Sequence, residues 1–120
     1  MHKLIIIFAP QVDMEAFQSR WQTFLSLAEK MPGLRREVIS QVQQTLVGGK
    51  DGPVEMIHEL FFDSRQALDE ALESPLGQAA GQWLQRFAGG QVTLLISEHL
   101  EAGEGDFKKN GDADKASPPE

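Results

Sequence analysis

The sequence predicts an α+β domain of βαββαβ order: a ferredoxin-like antiparallel four-stranded sheet with its helices on one face, pairing through the other face into a dimeric α+β barrel. Three observations carry this. Short β-branched runs alternate with longer segments whose apolar residues recur at helical spacing. The order of these blocks is a split pair of βαβ units, whose right-handed crossovers set the helices on the same side of the sheet. The first and last strands are apolar on both parities, so the side without helices needs a second cover.

The first strand covers residues 3–9, where β-branched and large apolar residues run up to Pro10. Asp13 is a natural N-cap for the first helix, whose stripe is Met14, Phe17, Trp21, Phe24, Leu25 and Ala28; Val12 is placed to staple onto Phe17, and Pro32-Gly33 ends the segment. Residues 34–47 alternate imperfectly and read as a second strand. Gly48 to Pro53 is dense in turn formers and reads as the hairpin turn into a third strand. In that strand Val54, Met56, His58, Leu60 and Phe62 share one parity, with Glu55, Ile57, Glu59 and Phe61 on the other. Asp63 with Gln66 reads as a capping box for a helix carrying Ala67, Leu68, Ala71 and Leu72. Ser74-Pro75 restarts it, and Leu76, Ala79, Ala80, Trp83, Leu84 and Phe87 form a second stripe up to Gly89-Gly90. Residues 92–100 are the fourth strand.

Composition narrows the function. The chain has 120 residues, 41% of them hydrophobic and 24% charged, which fits one globular domain. The domain is expected over residues 1–101, with a disordered acidic tail over 102–120, because the tail has too few large apolar residues to offset its ordering entropy. There is no cysteine, which removes disulfides, thiolate metal sites and thiol nucleophiles together. A net charge of −7 disfavours nucleic acid and anionic membranes as partners; six acids against three bases from Glu101 onward put −3 in the tail and −4 in residues 1–100. The run from Leu4 is far shorter than the roughly 20 apolar residues of a membrane span and lacks a signal-peptide cleavage pattern, so a cytoplasmic protein is expected. Two-fold self-association through the sheet is the simplest cover for the open face, making a homodimer the expected partner.

The run FDSRQALDEALESPLGQAAGQWLQRFAGGQVTLLISE, residues 62–98, closely resembles the C-terminal half of the EthD family, named for ethyl tert-butyl ether degradation. Trp21 and the MPGLRR of residues 31–36 are similar to that family's helix-ending Trp and Pro-Gly-Leu turn. The resemblance covers residues 1–100 and implies a dimeric α+β barrel with a cavity between helices and sheet, without a settled activity. Many members carry a histidine four residues after that Trp. Here the position is Leu25, so the resemblance transfers no catalytic role.

The candidate site residues are therefore read from chemistry. His58 is the candidate acid or base, because it lies mid-strand on an apolar parity; a core histidine bonded to a neighbour is the competing reading. Glu59 points to the opposite face, so the two cannot share one site. Trp21 and Trp83 are core residues or walls of a cavity, and Arg36, with Arg35 and Glu37, supplies either charge at its mouth or ordinary surface pairs. His2 and His99 meet if the first and last strands pair, but two ligands do not complete a zinc site, and no metal or cofactor is expected. The glycines at 48, 49 and 52 lack the spacing and Lys-Ser/Thr ending of a phosphate loop. Taken with the family resemblance, which is what implies degradation of an ether or aromatic compound, these readings favour a dimeric protein that binds a small apolar molecule or assists in that degradation. The alternative is a cofactor-independent monooxygenase, isomerase or cyclase.

Overall fold

A computed structural model describes residues 1–50 and 52–108. Its elements are β1 (His2–Phe8), α1 (Met14–Ala28), β2 (Leu34–Gln41), β3 (Met56–Phe62), α2 (Arg65–Glu73), α3 (Pro75–Ala88), β4 (Val92–Glu98) and a single turn α4 (Glu104–Lys108). The four strands form one sheet in the order β2-β3-β1-β4, every pairing antiparallel. This is the expected ferredoxin-like arrangement.

Strand pleating divides the sheet. Leu4, Ile6 and Phe8 of β1 and Met56, His58, Leu60 and Phe62 of β3 are buried. They pack against Phe17, Trp21, Phe24 and Ala28 of α1, Leu68 and Ala71 of α2, and Ala80, Leu84 and Ala88 of α3. One helix-side core of this kind forms because each helix offers a single apolar stripe.

The caps explain where the helices start. Asp13 Oδ1 accepts from the Ala16 amide at 3.0 Å. Ser74 closes α2 and opens α3, its Oγ accepting from the Gly77 amide at 3.1 Å with Pro75 at the first helical position. Two local expectations are corrected. Val12 is fully exposed and staples nothing. The cap of α2 is Ser64, which accepts from the Ala67 amide, while Asp63 is engaged by Arg35 and Gln66 bonds Glu70.

A larger correction concerns the β2-β3 connection. β2 ends at Gln41, the last cross-strand bond runs from the Val42 amide to the Glu55 carbonyl, and Leu46 and Val47 are 84% and 93% exposed. Gly48, Gly49 and Gly52 therefore lie outside any strand, well beyond the end of β2. β3 has only seven paired residues, so a longer β2 has no partner to bond. Of the expected tail, residues 102–108 are described and include α4; residues 109–120 lie outside the described residues. Among the described residues no helix is long and apolar enough to cross a membrane.

Candidate functional site

A cavity of about 280 Å³ lies between the sheet and the helices. Its floor is Leu4 and Ile6 of β1, Leu60 of β3, and Leu94 and Ile96 of β4. Phe24 and Met31 close one side, and Leu72 with Gly77, Ala80, Gly81 and Leu84 forms the roof. Every lining residue is apolar. Leu94 and Ile96 belong to the edge strand and remain 44% and 40% exposed, which marks the side open to solvent. Gly77 is needed where α3 turns out of α2: a Cβ there would stand 2.0 Å from the Ala71 carbonyl oxygen.

His58 stands behind this cavity. It pairs across the sheet with Ile6 and Ile39, and its ring meets Phe24 and Trp21 edge-on at centroid distances of 5.9 and 6.0 Å. Phe24 both lines the cavity and covers the imidazole. The His58 side chain is completely buried, and its Nε2 lies 3.0 Å from Glu37 Oε2. No described residue partners His58 Nδ1 or Trp21 Nε1. Burial pushes the His58 pKa down to about 4, against the opposing pull of the Glu29 charge. A hydrogen bond with Glu37, then burial and like-charge repulsion, raise the Glu29 carboxyl above its ordinary range. His58 is thus a neutral imidazole at physiological pH, held at Nε2 by the Glu37 carboxylate.

A bulge makes this cluster possible. The β2-β3 register slips between Leu34 and Arg36, so Arg35 is the extra residue and the parity inverts after it. Glu37 is thereby turned under the helices beside His58. Arg36 is turned to the open face, where its guanidinium lies 5.0 Å from the Phe61 ring centroid and 3.6 Å from Glu101. Arg36 as a charge near the cavity is corrected accordingly.

None of the cavity candidates Trp21, Arg36, His58 and Trp83 lines it. Trp21 and His58 are brought together behind Phe24. Trp83 ties α3 to α1 by donating from Nε1 to the Arg20 carbonyl at 2.8 Å. Leu25, four residues after Trp21, is partly buried against the core. Glu59 forms an ion pair with Lys3 on the open face. His2 faces Glu98, His99 bonds Glu101, and no group of three or more potential metal ligands occurs among the described residues. Glu29 and Glu37 were missed as partners of His58. Only a readable bulge would have revealed Glu37.

The EthD domain family matches residues 9–88. An ethyl tert-butyl ether degradation family protein from Bacillus halodurans C-125 superposes with a TM-score of 0.72 at 30% identity, covering 83% of this chain and 99% of that one. An uncharacterized 11.0 kDa protein of Rhodococcus erythropolis, from the thcB-thcC intergenic region, is 24% identical over 99 residues, 82% of this chain and 94% of its own length. SnoaB, a cofactor-independent oxygenase from Streptomyces nogalater, shares the fold at TM-score 0.62 and 12% identity, covering 84% of this chain and 94% of that one. A dimeric ferredoxin-like protein of unknown function from Jannaschia sp. CCS1 does so at 0.60 and 17%, covering 82% and 98%.

Proposed function

The chain belongs to the EthD family, and from that premise we propose that it is a dimeric protein that binds a small apolar molecule, serving the degradation of an ether or aromatic compound. The observation that carries this reading is the cavity of about 280 Å³ with a wholly apolar lining. Its volume lies at the small end of ligand sites, and apolar contact is the only recognition it offers. The dimer is supported by the open sheet face, where Ile5, Ile7, Val38 and Ile57 are partly buried and Leu95 is 46% exposed, with no helix among the described residues to cover them. The dimeric ferredoxin-like neighbour supports the same reading.

Ethyl tert-butyl ether and tert-butylbenzene are suitable probes. Saturable binding at one site per protomer, with intermolecular NOEs to Phe24 and Leu94, is the expected result in ligand-observed NMR. Absence of saturation would overturn the reading.

A second reading is a cofactor-independent monooxygenase, isomerase or cyclase. One observation favours it: His58 is a neutral, carboxylate-oriented imidazole with an unpartnered Nδ1, next to the cavity wall. The fold of SnoaB is consistent with it but transfers no mechanism. Turnover that His58→Ala abolishes, with probe affinity retained, would establish this second reading over the first.

A further inference from the structure

Gly81 stands where two depressions meet. The inner cavity and a groove of about 290 Å³ on the outer side of α3 share Leu72, Gly77 and Gly81. The groove adds three neutral amides, Gln78, Gln82 and Gln85, and neither depression is lined by a charged residue. The two glycines differ in what requires them. Packing against Ala71 dictates Gly77. At Gly81 an added Cβ would meet no atom within 4 Å, although the position is inside a helix where glycine is unfavourable relative to alanine. Among the described residues no packing contact asks for Gly81, and its bare backbone leaves the space between cavity and groove open.

We propose that the cavity and the groove are two halves of one binding site joined across Gly81, taking a ligand with a compact apolar body and a neutral hydrogen-bonding end, such as an alcohol or phenol. This rests on the reading that the cavity binds a small apolar molecule. The body fills the apolar half. A hydroxyl confined there would be unpaired and unfavourable, whereas a glutamine amide outside offers both donor and acceptor. A charged end would find no counter-charge in either half.

The test compares 4-tert-butylphenol with tert-butylbenzene by NMR titration. Replacing Gln78, Gln82 and Gln85 together with alanine on the exposed side of α3 is expected to weaken the phenol roughly two- to tenfold while leaving the hydrocarbon unchanged. Gly81→Leu is expected to weaken both probes, the phenol more. Gly81→Ala is expected to raise the melting temperature and weaken the phenol, with circular dichroism verifying the fold of each variant. If the hydrocarbon binds the wild-type protein and none of these substitutions alters the phenol, the joined site is overturned and the apolar cavity stands. Failure of both probes to bind the wild-type protein overturns both.

Discussion

The two faces of the sheet use alternate residues of the same strands and treat polar groups in opposite ways. On the helix side the imidazole of His58 is fully buried, and burial keeps it neutral. On the open side Lys3 and Glu59 stay paired at 15% and 18% exposure, and Arg36 reaches Glu101 beside Phe61. The chain's own helices dehydrate the first face, so charge there is unfavourable. The second face carries ion pairs, and no described helix covers its isoleucines. The cavity belongs to the fold of one chain, whereas the other face is the one the proposed dimer would cover.

The largest expected effect sharpens this division. Phe62→Ala removes a fully buried ring from the helix side and should cost about 3–5 kcal/mol in urea unfolding, at any protein concentration. Next is pH. His58 titrates near 6.5 when unfolded and at about 4 when folded, so its contribution is fully present above pH 6.5 and is lost as the pH falls through 4. That shift corresponds to about 3 kcal/mol. Glu29 acts in the opposite sense, favouring the folded state below the ordinary carboxylate range and losing that contribution as the pH rises through its raised folded pKa. Unfolding free energies between pH 7 and 4 should therefore fall for the wild type and fall much less for His58→Phe. An equal slope would remove the imidazole from the account.

The open face is tested by Ile7→Glu, which places a charge between Ile57 and Thr93. A dimer formed through this face should weaken by roughly 10- to 100-fold, or about 1.4–2.7 kcal/mol, in analytical ultracentrifugation. An unchanged dimer would break the comparison. The smallest effect belongs to Arg36→Ala, which should leave tert-butylbenzene affinity unchanged, because the side chain lies across the sheet from the cavity.

Much of this was legible in the sequence because period and punctuation are local. The two-residue alternation of residues 54–62 placed His58 with Met56, Leu60 and Phe62 on one face and Glu59 on the other. Ser74-Pro75 marked the break between α2 and α3, since a Ser cap and a Pro without an amide both suit a helix start. The misread elements depended on competition between neighbours. Asp63 read as the cap of α2, but its carboxylate is engaged by Arg35 and Ser64 caps the helix instead. β2 ended early because β3 offered no further bonding partners.

The sequence by itself determined the order of the elements, the βαββαβ topology and the parity that His58 shares with Met56, Leu60 and Phe62, because side-chain parity and helical stripes are properties of consecutive residues. The tertiary structure decided the bulge at Arg35, the pairing of His58 with Glu37, the placement of Arg36 on the far face and the cavity roofed by Gly77 and Gly81. A one-residue slip in register has no signature in composition or spacing, yet it moves every following side chain to the other face. A cavity is likewise a relation between elements distant in sequence, set by how closely α3 can approach the sheet.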